Sequence, residues 1–186
     1  MIFRLAWCCV ALFLTLGTAS SDVARFSPFG AVTTASGDLS YTNPTAPKGG
    51  ALRLGSTVNF DSTNLMRFPG RAPAEMKHIF DTLLVQVQDK TAVFYGLLAK
   101  EIEVAPDFSF ARFHLDPAAR WHDGQPVTSE DIAFTFESLR AHGLPRYRGA
   151  LKGIEIEIED ARTIVFRSFE ERSWRYIELS GTLPIQ

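Results

Sequence analysis

Cysteine is almost absent from this chain. Of 186 residues only Cys8 and Cys9 carry thiols, and both lie in an N-terminal segment that reads as a removable leader. The mature chain therefore has no disulfide framework, thiol nucleophile or cysteine metal site. An excess of charge of one sign is also missing: 19 Lys and Arg stand against 21 Asp and Glu, a net −2. That balance supplies no basic patch for nucleic acid, and 46% hydrophobic residues exclude a disordered chain. The 13 Gly and 10 Pro are ordinary counts and exclude a collagen-like repeat. Histidine is scarce, and none of His78, His114, His122 and His142 stands in a paired or His-Glu-x-x-His spacing.

Long apolar runs are lacking except at the start. Arg4 precedes an apolar stretch from Leu5 to Leu16, broken only by Thr15, and the small residues Gly17 to Ser21 follow. This is the layout of a secretory signal peptide, 1–19, cleaved after Ala19 or, as the next choice, after Ser20. The apolar stretch is shorter than the about 20 residues a membrane-spanning helix needs. A retained anchor is the alternative, and Trp7 before Cys8 speaks against a lipoprotein anchor. The expected product is exported and soluble, without a membrane span once the leader is gone.

Beyond the leader, residues 20–48 are rich in Ser, Thr, Gly, Pro and Ala and read as an extended arm. Ala51 to Gly55 alternate as a short strand, and Val58 to Asn64 read as a loop. Ala72-Pro73-Ala74-Glu75 opens a helix whose apolar face is Met76, Ile79, Phe80 and Leu83. Leu84 to Gln88 add a strand, Tyr95 to Lys100 a short apolar turn or helix, and Glu101 to Val104 a strand. Phe108 to Leu115 form another strand, with aromatics on both faces and so covered on both. Asp123-Gly124 makes a tight turn, and Thr128 caps a helix running to about Ala141 with a buried stripe of Ile132, Phe136 and Leu139. Ile154 to Glu159 alternate strictly, isoleucines in and glutamates out, and Thr163 to Arg167 return as a hairpin. A last helix spans about Glu170 to Leu179. The pattern is α+β: antiparallel strands with two or three helices beside them.

Catalytic apparatus is not visible in these residues. His122 and Asp123 with Glu130 and Asp131 could be drawn as a metal cluster, but a turn and a helix cap explain them better. No Ser stands in a Gly-x-Ser-x-Gly elbow and no glycine-rich phosphate loop occurs. The residues call for no metal and no cofactor.

The stretch from Trp121-His122-Asp123-Gly124 through Thr128-Ser129-Glu130-Asp131 to Phe136-Glu137 resembles a signature of the bacterial extracellular solute-binding proteins of family 5. These are oligopeptide- and dipeptide-type receptors of ABC importers. Lys48 to Gly55, Phe80 to Leu84 and Tyr95 to Asp107 resemble further segments of that family. His142 to Arg148 and Gly181 to Ile185 are most similar to its microcin C-type peptide importer subgroup. One departure stands out: where members often read Phe-Asp-Ser-Leu-Asn-Pro, this chain has Phe60-Asp61-Ser62-Thr63-Asn64-Leu65.

The resemblance implies a partial periplasmic-binding-protein type II-like fold, with an opening strand and loop of lobe I at 49–60, an inserted α+β domain at 61–169 and a return into lobe I at 170–186. It implies a non-enzymatic periplasmic receptor that closes on a peptide or peptide-like solute and hands it to permease subunits. Asn59, Phe60 and Asp61 are the expected ligand contacts. Such receptors run several hundred residues longer, so the chain is expected to be an N-terminal fragment. An exported hydrolase with an unmarked active site, or a protein-interaction module on the same domain, are the competing readings.

Overall fold

Four antiparallel strands carry the centre of the structure, a computed structural model. It describes residues 25–26, 43, 45–47, 49–51, 53, 55, 59–64, 69–86, 93–169 and 173–185. The expected leader and most of the arm lie outside the described residues. The strands are β4 (Ala99–Val104), β5 (Phe110–Leu115), β6 (Ile154–Asp160) and β7 (Thr163–Ser168), in the order β4-β5-β7-β6. A smaller antiparallel sheet joins β1 (Arg25–Phe26), β3 (Phe94–Gly96) and β2 (Leu84–Gln86), with β3 in the middle. The helices are α1 (Ser129–His142), α2 (Pro145–Ala150) and α3 (Trp174–Thr182). This is the α+β architecture expected, with antiparallel strands and three α-helices beside them.

Strand alternation gives the larger sheet two unlike faces. Ile102, Phe113, Ile164, Phe166 and Ile154 point into the core and are buried. Phe166 stands edge-on to Phe113 at 5.6 Å and tilted against Phe136 of α1 at 4.8 Å, spacings at which aromatic pairs attract. The other face is a charged ladder. Arg112 donates to Glu159 through Nε and Nη2 (2.9 and 2.8 Å) and to Glu103 through Nη1 (2.5 Å). Arg167 pairs with Glu157 at 3.0 Å, and His114 Nε2 lies 3.5 Å from Glu103. Phe110 on this face is covered not by another element, as expected, but by the guanidinium groups of Arg112 and Arg167, 5.4 and 5.6 Å from its ring centre.

The helix predicted after Thr128 forms as read and ends at Gly143. Its cap is reciprocal: the Asp131 amide donates to Thr128 Oγ1 (3.4 Å) while Asp131 Oδ2 accepts from the Thr128 amide (2.8 Å) and hydroxyl (2.9 Å). The same Oδ2 accepts from the Trp121 indole N–H at 3.2 Å, so one carboxylate ties the hairpin turn to the helix. Ser129 is buried and its hydroxyl donates to the Asp160 carbonyl. At the far end Arg140 Nη2 donates to the Ile154 carbonyl at 2.6 Å. The helix is thus fastened to both ends of β6.

Several expectations are corrected. The helix expected from Ala72 is a single 3-10 segment, Ala74–Ile79, and Ile79 is 50% exposed rather than on a buried face. Phe80 is already extended (φ −119°, ψ 137°), because the chain must then pair Thr82 with Pro184 and enter β2. Tyr95 to Lys100 are neither a plain turn nor a helix but the end of β3, a turn and the start of β4. The amides of Leu97 and Ala99 both donate to the Leu83 carbonyl (3.0 and 3.1 Å), so tertiary pairing takes the donors a helix would use. The last helix starts and ends later than expected, at Trp174 and Thr182, and α2 was not foreseen although Pro145 suits its first turn. Ala51, Arg53 and Gly55 lie in no strand; Leu52 and Leu54 are outside the described residues. Arg25 and Phe26 of the arm pair with Tyr95 and Phe94.

Candidate functional site

The three residues expected to meet a ligand lie on one open cleft of about 420 Å³, lined by Asn59, Phe60, Asp61, Gly70 and Arg71. The cleft exists because the chain is clamped back on itself. The amides of Asp61 and Ser62 donate to the Arg71 carbonyl (3.0 and 3.3 Å), and the Arg71 amide donates to Asp61 Oδ1 at 2.6 Å. Ser62 Oγ accepts from the Asn64 amide at 3.1 Å, a local turn of the kind Ser favours. Residues 65–68 between the clamped ends lie outside the described residues.

Chemically the cleft offers an amide at Asn59, a carboxylate at Asp61 with one oxygen engaged by backbone, and a guanidinium at Arg71. Beside them stands a Phe60 ring that is 60% exposed. Polar groups of both signs beside an apolar surface suit a ligand with peptide-like donors and acceptors. Gly70 and Arg71 were not singled out from the sequence: nothing local marks a residue whose role comes from pairing with another ten positions away.

Several other residues weighed in the sequence take structural roles. Asp123 Oδ1 accepts from the Gln125 amide at 2.9 Å, Gly124 adopts φ +88° to close that turn, and Asp131 is the cap described above. His114 lies in β5 with Nδ1 3.3 Å from the Thr163 hydroxyl, and His142 ends α1. A second cleft of about 410 Å³ runs along α3 between Arg175, Tyr176, Glu178, Leu179, Thr182 and Ala150. The hydroxyls of Tyr176 and Ser180, one turn apart, are buried with no hydrogen-bond partner among the described residues. Burial, with Asp107 adding to it, pushes the Tyr176 phenol up to about 12. Among the described residues no helix is long and apolar enough to cross a membrane.

Comparison with known proteins gives a consistent result. The profile of the bacterial extracellular solute-binding proteins, family 5 Middle, matches residues 93–185, half of the chain. The uncharacterised protein YejA of Escherichia coli (strain K12) is 35% identical over 117 residues, 63% of this chain and 19% of that protein. A probable peptide-binding protein, also called YejA, of Agrobacterium fabrum is 33% identical over 146 residues, 78% of this chain and 24% of the relative. Among solved structures, NikA from Brucella suis in complex with Fe(III)-EDTA matches with a TM-score of 0.54. It is 13% identical, over 66% of this chain and 25% of that one, a likeness of fold. The chain spans between 15% and 25% of the length of the curated relatives it matches.

Proposed function

Because this chain belongs to the bacterial extracellular solute-binding proteins of family 5, we propose that it is, or forms part of, the periplasmic receptor of an ABC importer, binding a peptide or peptide-like solute for delivery to a membrane permease. The observation that carries this reading is the profile match over residues 93–185, which takes in β3 to β7 and all three helices in one ordered run. The probable peptide-binding relative in Agrobacterium supports the ligand class. The leader at 1–19 would direct export, and the segments around His142 and Gly181 resemble the subgroup that includes importers of microcin C-type peptides. Binding involves no covalent step. In this arrangement 61–169 is the inserted domain, and Asn59, Phe60 and Asp61 reach the solute from the loop that precedes it. In support, all three line one cleft with Gly70 and Arg71.

The test is a thermal unfolding series of the full chain against short peptides, read beside product analysis. A ligand that binds only the folded state raises stability by mass action, by about 2.7 kcal/mol at a hundredfold excess over Kd. A peptide-dependent rise that Phe60→Ala and Asp61→Asn diminish supports the reading. Asp61→Asn is informative because an amide oxygen still accepts from the Arg71 amide while the charge is gone. Peptide hydrolysis would point instead to an exported hydrolase, and a stable protein partner without peptide binding to an interaction module.

A further inference from the structure

The signature turn does more than start a helix. Arg120, Trp121 and His122 form one wall of a small, half-enclosed cleft of about 140 Å³, completed by His78, Ile79, Phe80 and Asp81 at the end of the 3-10 segment and by Leu98, Val127 and Ile185. Leu98, Val127 and Ile185 are buried and make an apolar floor. The walls are held rigidly. The Trp121 indole is fixed by Asp131, the Trp121 amide donates to the Gln125 carbonyl at 2.8 Å, and the Ile185 amide donates to the Asp81 carbonyl at 2.9 Å. A site whose walls are locked by packing and hydrogen bonds pays little to organise on binding.

The rim is charged in both senses. Arg120 uses Nη1 for the carbonyls of Pro117 and Ala119 (2.7 and 2.8 Å). Nε and Nη2 make no hydrogen bond among the described residues, and neither Arg120 nor Asp81 belongs to an ion pair there. Two imidazoles, His78 and His122, stand beside them. A guanidinium and a carboxylate around an apolar floor complement a small molecule bearing a carboxylate, an ammonium and an apolar side chain. The volume lies well below the roughly 300 Å³ at which drug-sized pockets begin, so it suits one residue and not a peptide.

The geometry points to a second binding site in this cleft for a single apolar α-amino acid zwitterion, its carboxylate on Arg120, its ammonium on Asp81 and its side chain against Leu98, Val127 and Ile185. The site is separate from the Asn59–Asp61 cleft and does not depend on the importer reading. Charge-assisted hydrogen bonds of this kind are the strong ones, so removing either charge is costly.

The experiment is amide-shift titration of the isotopically labelled full chain with L-leucine, N-acetyl-L-leucine and L-leucinamide. L-leucine is expected to shift the amides of Leu98, Trp121, His122 and Ile185 saturably, with both derivatives about tenfold or more weaker. Arg120→Gln and Asp81→Asn are each expected to weaken L-leucine by a similar factor. Asp81→Asn keeps the proposal falsifiable if Arg120→Gln loosens its turn, because only the backbone of Asp81 holds Ile185. No saturable shift with L-leucine, equal binding of the three probes, undiminished binding by Asp81→Asn, or shifts confined to the residues around Phe60 and Arg71 would each overturn it.

Discussion

Arg112 of β5 grips the carboxylate of Glu159 of β6 with two near-parallel bonds, Nε to Oε2 at 2.9 Å and Nη2 to Oε1 at 2.8 Å, and so reaches across the intervening strand β7. Beneath that reach sits Val165, the strand partner of Arg112 on β7 and 0% exposed, although it lies on the charged face of the sheet. The arginine therefore acts both as a charge and as a cover for an apolar side chain. Its guanidinium is held well above its ordinary range by hydrogen bonds to Glu159 and then Glu103.

Two variants separate those roles. Arg112→Met keeps a long apolar stem over Val165 and loses the ion pairs, at an expected cost of about 0.5–1 kcal/mol, since both partners are partly exposed. Arg112→Ala also uncovers Val165 and is expected to cost more. Urea unfolding of both proteins measures the difference, and equal costs would show that covering Val165 contributes nothing.

The same ladder predicts an acid limb. Hydrogen bonding to Arg112 holds the Glu103 carboxyl below its usual value, and the Arg162 amide does the same for Asp160. A carboxylate depressed in the folded state contributes stability that is present above its unfolded pKa and is lost as pH falls through the folded one. Stability of the native chain should fall from the ordinary carboxylate range downward. The fall should be shallower in Arg112→Met, which removes the largest cause acting on Glu103. Parallel unfolding curves of the two proteins on acidification would contradict this.

Tyr176 predicts the opposite limb. Its phenol, raised to about 12, keeps its proton in the folded chain after the unfolded chain has lost it, so its contribution declines as pH rises from about 10. Tyr176→Phe removes that decline. It is expected to be neutral or stabilising at neutral pH, because the hydroxyl it deletes is buried without a partner among the described residues. Thermal midpoints of the two proteins at neutral and alkaline pH are the measurement. A large loss at neutral pH would mean that the hydroxyl has a partner.

Asp131 and Thr128 share a cap but not a workload. Thr128→Ala is expected to cost about 1 kcal/mol, the usual value of an N-cap. Asp131→Ala should cost more, because it also frees the Thr128 amide and the Trp121 indole. Denaturant midpoints rank the two, and the intrinsic tryptophan fluorescence of the folded protein should change only for Asp131→Ala.

Gly181 lies where α3 meets β2. A Cβ there would sit 2.6 Å from Leu84 Cδ1 and 2.9 Å from Leu84 Cγ. Alanine in a helix gains up to about 1 kcal/mol over glycine, but overpacking of a buried contact costs typically 1–3 kcal/mol. Gly181→Ala should therefore destabilise, and Leu84→Ala should cost less in that background than alone. A double-mutant cycle without coupling would refute the contact.

What could be read in the sequence follows from how local each cause is. The Thr128 cap, the Asp123-Gly124 turn and the Ile154–Arg167 hairpin were legible because each is decided within a few residues. The 3-10 segment at Ala74 and the strand–turn–strand around Leu97 were not: the chain leaving the first must pair Thr82 with Pro184, and the amides of Leu97 and Ala99 donate to the Leu83 carbonyl, both far along the chain. The Asn59–Asp61 loop was singled out by resemblance alone. Its clamp to Arg71 depends on a pairing that no short-range pattern announces. The cleft beside Trp121 was hidden for a related reason: its wall belongs to the motif, but its floor comes from Leu98 and Ile185.

Among the described residues β6 lies at the outer edge of its sheet, and its alternating glutamates set a boundary as well as a register. A second copy laid along that edge would bring Glu155, Glu157 and Glu159 beside their own counterparts, with like charges repelling across a short gap. Among these three, Glu157 and Glu159 pair with Arg167 and Arg112 of the same chain, and Glu155 forms no ion pair among the described residues. The alternation that builds the hairpin thus also stops the sheet from growing, and a chain with those glutamates replaced by threonine would fold the same hairpin while losing its resistance to stacking edge to edge.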